Sequence, residues 1–263
     1  MQYISILLIL VISVFAQTYN DAMIQHIQSN KDTNKSFSFA AYGDNRGRDD
    51  ILSSIIKSVD NDNEILFSIN NGDLVSDSFE FMFKNYLSLI ETSKKPIVSI
   101  IGNHGIGLFE DEDNYKMIFG KTYFSFALKN NYFIIVDDAD DEGVGLKQFS
   151  WLKQELQKSQ KYTNRFVFIH IPLYDPKNGK YKQGHSLENI EQAQILNKLF
   201  DEENVTMLFC SHIHSFYRGF WHKTPFIISG GAGAPLKKGG FFHYIKVLVD
   251  GLNVNYKVTK INP

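Results

Sequence analysis

From residue 36 onward, short apolar runs alternate with longer runs whose apolar residues recur every three or four positions. The short runs predict strands at 36–42, 65–70, 97–101, 123–127, 132–137, 165–171, 206–210 and 226–229. A closing pair lies within 244–261, with Asp250-Gly251 as its hairpin turn. The longer runs predict helices at 49–59, 78–92, 146–160 and 186–200. In the second of these, Phe79, Met82, Phe83, Tyr86, Leu87 and Ile90 make one stripe, expected to face the core. Strands alternating with helices imply βαβ units, right-handed crossovers and a largely parallel sheet. Hairpin signals around Lys129-Asn130-Asn131 and at the C-terminus add antiparallel strands. With no internal repeat and no linker rich in Pro or Gly, a single domain over 36–263, after a polar leader at 17–35, is the simplest account.

Composition narrows the function classes. A chain of 263 residues with 43% hydrophobic content can bury a sizeable core. A formal net charge of -2 argues against a dedicated nucleic-acid-binding surface, which would be basic. Residues 4–16, ISILLILVISVFA, place Val14 and Ala16 three and one positions before a cleavage point, so residues 1–16 are expected to be a signal peptide. The apolar run is shorter than the roughly 20 residues of a spanning helix, so no stable membrane anchor is expected after cleavage. Export to a periplasm, a secretory lumen or the cell exterior follows. The single cysteine, Cys210, excludes an intrachain disulfide. The sequons at Asn34 and Asn204 matter only in a glycosylating pathway.

Chemistry collects at the strand ends. In an open α/β sheet, ligands gather beyond the carboxyl ends of the strands. The segments there are Gly43-Asp44-Asn45-Arg46, Asn71-Gly72-Asp73, Gly102-Asn103-His104-Gly105, His170-Ile171-Pro172 and Ser211-His212-Ile213-His214. Each one alone reads as turn chemistry or a structural histidine. Together they offer carboxylate, amide and imidazole donors without thiolate, a set suited to Fe, Zn or Mn as divalent or trivalent ions.

The order and spacing of these five segments resemble the calcineurin-like metallophosphoesterase superfamily, whose motifs run DxH, GDxxD, GNH followed by Asp or Glu, a His often within HxP, and GHxH. The surrounding text, including His212-Ile-His214-Ser-Phe-Tyr-Arg and Gly230-Gly-Ala-Gly-Ala-Pro235, is similar to the purple-acid-phosphatase-like branch. The resemblance covers about residues 37–235. It implies an α/β/β/α fold: mixed, largely parallel β-sheets forming a sandwich flanked by helices. It also implies two metal ions, one held by Asp44, Asp73 and His214 and the other by Asp73, Asn103, His170 and His212, with Asp73 bridging. In the family such a pair holds a phosphoryl oxygen and generates hydroxide from water, and His104 matches the histidine that touches phosphate and helps protonate the leaving alkoxide.

The chain departs from the family pattern at three positions. Arg46 stands where the family most often places a histidine ligand; it either braces Asp44 or grips a phosphate oxygen. Gly105 replaces the acid that usually orients the catalytic histidine, so another group must do so. Ser76 occupies the position where purple enzymes carry the iron-binding tyrosine, which argues against a purple chromophore. His185 lies in a lysine-bearing loop at 174–185, which reads either as solvated or as bordering substrate. His222 and His243 match no metal motif. The expected function is an exported phosphomonoesterase acting on a small phosphate ester. Phosphodiesters are the nearest alternative substrates, and a binding protein that keeps the fold is the alternative from another class.

Overall fold

The protein is described by a computed structural model over residues 17–30, 36–107, 111–140 and 142–262. The expected signal at 1–16 lies outside the described residues. Five strands, β1 (Ser36–Tyr42), β2 (Ile65–Asn70), β3 (Ile97–Ser99), β10 (His243–Asp250) and β11 (Asn253–Lys260), form one sheet in the order β11-β10-β1-β2-β3. Six more, β4 (Phe124–Leu128), β5 (Asn131–Ile135), β6 (Asn164–Phe168), β7 (Met207–Cys210), β8 (Phe216–Trp221) and β9 (Thr224–Ser229), form a second in the order β4-β5-β6-β7-β9-β8. The centres of both sheets are parallel, β1-β2-β3 in one and β5-β6-β7-β9 in the other. The expected hairpins supply antiparallel partners: β4-β5 turns at Lys129-Asn130 and β10-β11 at Asp250-Gly251.

The two sheets pack face to face through phenylalanines. In β1 the inward side chains Phe37, Phe39 and Ala41 alternate with Ala40 and Tyr42, which face the helices; this is the period-two pattern of a strand buried on both sides. Phe39 sits at the centre, with ring centroids 5.4 to 6.3 Å from Phe67, Phe133, Phe166, Phe168 and Phe209. Helices α2 (Asp49–Asp60), α3 (Glu80–Ile90) and α4 (Asp113–Phe119) cover the outer face of the first sheet through Ile51, Ile55, Phe83, Tyr86 and Phe119. Helices α5 (Leu146–Ser159) and α6 (Ile190–Glu202) cover the second through Leu152, Leu156, Leu196 and Phe200. The result is the α/β/β/α order expected from the resemblance.

Two local differences from the sequence reading have physical causes. The stretch read as a polar leader contains α1 (Tyr19–Gln28), which covers the edge of β3: Asn20 donates Nδ2 to Ser99 O at 2.8 Å and accepts from Ser99 N at 2.9 Å. A side-chain amide thus pairs the main chain of an edge strand that would otherwise be open. In the α3 stripe, Phe83, Tyr86 and Ile90 are buried as expected, but Phe79 lies just before the helix and is 52% exposed.

At the β4 edge, Glu112, Lys116, Tyr123, Asp137 and Trp151 help line a cleft of about 850 Å³ that none of the predicted site residues borders. Burial, and then the nearby Glu112 carboxyl, push Asp137 from its ordinary 3.8 to about 7. The folded state therefore holds a proton that the unfolded chain releases, and this group's contribution to stability declines as pH rises from about 4 through about 7. In Asp137→Asn, which mimics the protonated form, the fall in thermal midpoint between pH 5 and pH 8 should be smaller than in wild type. Parallel slopes would contradict this assignment.

Candidate functional site

Two strand-to-helix loops are stapled together before any side-chain chemistry begins. Asp44 N donates to Gly72 O and Arg46 N to Asp73 O, each at 3.0 Å. The buried Asn45 adds Nδ2 to Leu74 O at 2.7 Å and accepts from Asn70 Nδ2 at 2.9 Å. Four non-glycine residues here hold left-handed backbone: Asp44 (φ 64°), Arg46 (φ 45°), Asp73 (φ 52°) and His212 (φ 64°). Such conformations cost about 1 kcal/mol or more each and persist where surrounding contacts impose them. Here they turn side chains from separate loops toward one point.

The sequence-predicted donors meet there. Ligand atoms of Asp44, Asp73 and His214 all lie within 4.8 Å of one another. Beside them, Asp73 Oδ1 is 3.3 Å from His170 Nε2, which is 3.1 Å from Asn103 Oδ1. His212 Nδ1 reaches that same amide oxygen at 2.9 Å. Asp73 is common to both groups. Ring tautomers follow from the backbone: His170 Nδ1 donates to Asn71 O and His214 Nδ1 to Pro235 O, each at 2.9 Å, so their Nε2 lone pairs face inward. His170 Nε2, Asn103 Oδ1 and Asp73 Oδ1 are then three acceptors facing one another. A proton or a cation between them turns that repulsion into attraction.

The charges agree with this geometry. Burial alone would raise Asp73, but the opposing charge of His170 and its hydrogen bond hold it well below the usual carboxylate range. His170, which burial would lower, is pushed up to about 10 by Asp73. Burial lifts Asp44 to about 8. Asp44 Oδ2 accepts from His212 N at 2.9 Å, whereas its buried Oδ1 has no hydrogen-bond partner. An unpartnered buried carboxylate oxygen, 3.6 Å from His214 Nε2, fits a cation's first coordination sphere. Glycines make room for the rings: Gly72 has φ +100°, and a Cβ there would overlap His170 Nδ1. Gly72→Ala is expected to cost about 2 kcal/mol or more and to weaken metal uptake, read by urea unfolding and metal titration.

The departures from the motif also find their places. His104 Nδ1 donates to Ser76 O at 2.9 Å, so a backbone carbonyl orients the ring in place of the acid missing at Gly105. Its Nε2 is 3.8 Å from Asp73 Oδ2 at the partly exposed mouth. Gly105 itself is buried, and a Cβ there would press on Ile101. Arg46 is half-buried, and its charge acts on both Asp44 and His214. It does not brace Asp44 by a bond to Oδ1, which is unpartnered. His185 is exposed and stacks on His212 with centroids 4.0 Å apart, so the lysine-bearing loop borders the site. His222 stacks on Tyr181, and His243 donates Nδ1 to Phe241 O. Sequence reasoning passed over Asp138, whose buried carboxylate accepts from His170 N at 2.7 Å and Ile171 N at 3.0 Å. It lies three residues past the end of β5 and just after the strand predicted at 132–137, so the strand-end rule applied to that strand would have found it.

Known proteins resemble this chain in sequence and in fold. A stretch of 151 residues, 55% of this chain, is 28% identical to a protein named as a probable cyclic nucleotide phosphodiesterase from Fibrobacter succinogenes, covering 56% of that protein. Another of 98 residues, 36% of the chain, is 26% identical to probable purple acid phosphatase 20 of Arabidopsis thaliana and covers 22% of it. The chain thus spans little more than half of the first relative's length and about a fifth of the second's. The structure of purple acid phosphatase PPD1 from yellow lupin (Lupinus luteus) seeds superposes with a TM-score of 0.67 at 16% identity, over 87% of this chain and 53% of that one. The sequence profile of the calcineurin-like phosphoesterases, a family of phosphoric ester hydrolases, matches residues 37–216. The chain belongs to the calcineurin-like phosphoesterase family.

Proposed function

We propose that this protein is a metal-dependent phosphomonoesterase that holds two cations, one at Asp44, Asp73 and His214 and the other at Asp73, Asn103, His170 and His212. The observation that carries the reading is the place of Asp73, common to both donor groups. Fe, Zn and Mn all suit these nitrogen and oxygen donors. When bound, such a pair supplies Lewis-acid polarisation of the phosphoryl group and a source of acidified water.

The chain's own residues do the rest. His104, fixed through Nδ1, presents Nε2 to the leaving oxygen and would give it a proton from the imidazolium form. Arg46 offers planar guanidinium donors to a phosphate oxygen, and its fixed charge favours a dianionic monoester over a monoanionic diester. His185, stacked on His212 at the rim, is placed to border the substrate. The apolar run at residues 4–16 supports export, and no described helix is long and apolar enough to cross a membrane. N-terminal sequencing of the mature protein should begin after residue 16.

The test is a substrate pair with chelation. Hydrolysis of 4-nitrophenyl phosphate should exceed that of bis(4-nitrophenyl) phosphate by about 10-fold or more in kcat/KM, a difference of about 1.4 kcal/mol in transition-state stabilisation. Chelation should remove both activities. A preference for the diester would assign the phosphodiesterase alternative, and no turnover of either ester would favour a binding protein.

A further inference from the structure

A second, smaller cleft opens beside Arg46. Its volume is about 240 Å³, and Arg46, Leu74, Val75, Ser76, Phe81 and Met82 line it. Two of these belong equally to the candidate site: Ser76 O holds His104 Nδ1, and the Arg46 charge acts on Asp44 and His214. The cleft therefore adjoins the candidate site through Arg46 and Ser76.

Its walls are mixed: Leu74, Val75, Phe81 and Met82 give apolar and sulfur-bearing surface, and Asp49 and Asn85 add polar surface. Leu74 and Val75 are buried and give it a floor. Met82 lies beside Ser76, with Ser76 Oγ 3.6 Å from its sulfur. At the mouth, Phe81 and Phe79 stack with centroids 5.9 Å apart and an interplanar angle of 15°. They are 58% and 52% exposed, two adjacent rings left in water at the start of α3. Neither belongs to a core cluster, so both rings offer surface to a ligand. Asp49 also lines the cleft and offsets the charge of Arg46, which disfavours a second phosphate there.

We propose that this cleft is the subsite for the leaving group of the ester and that it takes a single aromatic or heteroaromatic ring. The inference rests on the hydrolase reading above. Its volume falls below the roughly 300 Å³ at which pockets begin to hold drug-sized ligands, so it suits one ring system and not a chain of units. Phe81 supplies a face for stacking and Met82 a polarisable sulfur for the ring edge. Arg46, at the junction, holds phosphate oxygen on one side and the ring's plane on the other.

The experiment compares phenylphosphonate with methylphosphonate, which carry the same charged head and differ by the ring. Binding to the metal-loaded full chain is measured by calorimetry, with no turnover required. Wild type should bind the phenyl compound about 10-fold tighter, and Phe81→Ala and Met82→Ala should each reduce that ratio to about 3 or less, the loss falling on the phenyl ligand. Phe81 is exposed, so its truncation leaves the core intact. A wild-type ratio near one, or a ratio unchanged in both variants, overturns the subsite and leaves the exposed rings as a contact for another macromolecule. Ring preference without turnover of any ester would sink the hydrolase reading and keep the subsite. Turnover without ring preference would do the reverse, and failure to bind either phosphonate would overturn the subsite.

Discussion

Asp73→Ala is expected to lower kcat/KM for 4-nitrophenyl phosphate by at least about 10³-fold and to remove both proposed cations, because this carboxylate is common to the two proposed donor groups. Mutating a residue one shell away from a metal costs about 10- to 100-fold in affinity or activity, and a shared ligand must cost more. Geometry makes the loss local. Asp73 Oδ1 accepts from His104 N at 3.0 Å and faces His170 Nε2 at 3.3 Å. Its removal therefore also frees His104, the proposed general acid, and takes from His170 its strongest opposing charge. His170, raised to about 10 by Asp73, should fall in the variant, since burial is then opposed only by the Asp44 charge and the bond to Asn71 O. Histidine resonances followed by NMR in the metal-free protein would report this; an unchanged titration would show that Asp73 does not set the charge of His170.

The second large effect is on stability. Phe39→Ala removes the central ring of the layer between the sheets, where five other phenylalanine rings touch it. The residue is fully buried, and its neighbours extend from both sheets, so collapse around the gap would require the sheets to approach each other. A cost of about 4 kcal/mol is expected, from lost transfer energy plus a retained cavity, measured as the shift in urea unfolding free energy. The same change at Phe79, half exposed and outside the core, should stay within about 0.5 kcal/mol. Equal effects at the two positions would contradict the placement of the core.

How much of this was legible in the chain depends on the physics of each part. Strands such as β1 and β2 were readable to the residue, because apolar runs bounded by Gly and polar turns have few other interpretations. The five donor segments were readable as a set, since each follows a strand and α/β sheets place ligands there. Helix α1 was not readable: its few apolar residues are diluted by polar ones, and what docks it is Asn20, a polar side chain pairing Ser99 main chain. Strand β8 was missed because it is an edge strand with Gly219 in its middle and an irregular burial pattern. Helix α4 is seven residues long and buries only Tyr115 and Phe119, too short a period to stand out.

Within the site, what stayed hidden was contact by backbone atoms and distant loops. No side-chain pattern reveals that Ser76 O orients His104, or that Asn45 staples two loops. His185 shows the same limit. Its loop reads from the sequence either as solvated or as bordering substrate, and only the tertiary fold lays its ring on His212. Arg46 was legible as a departure but not in its consequence, because the neighbouring cleft is built by α3 from a helical stripe that reads as core.

Metal stoichiometry is the most direct test of the proposed two-cation centre. Elemental analysis of the purified full chain, with 4-nitrophenyl phosphate turnover on the same sample, should find two equivalents of metal per chain, and both metal and turnover should vanish together in Asp73→Ala. One equivalent or none, in a protein that hydrolyses no phosphate ester, would contradict it.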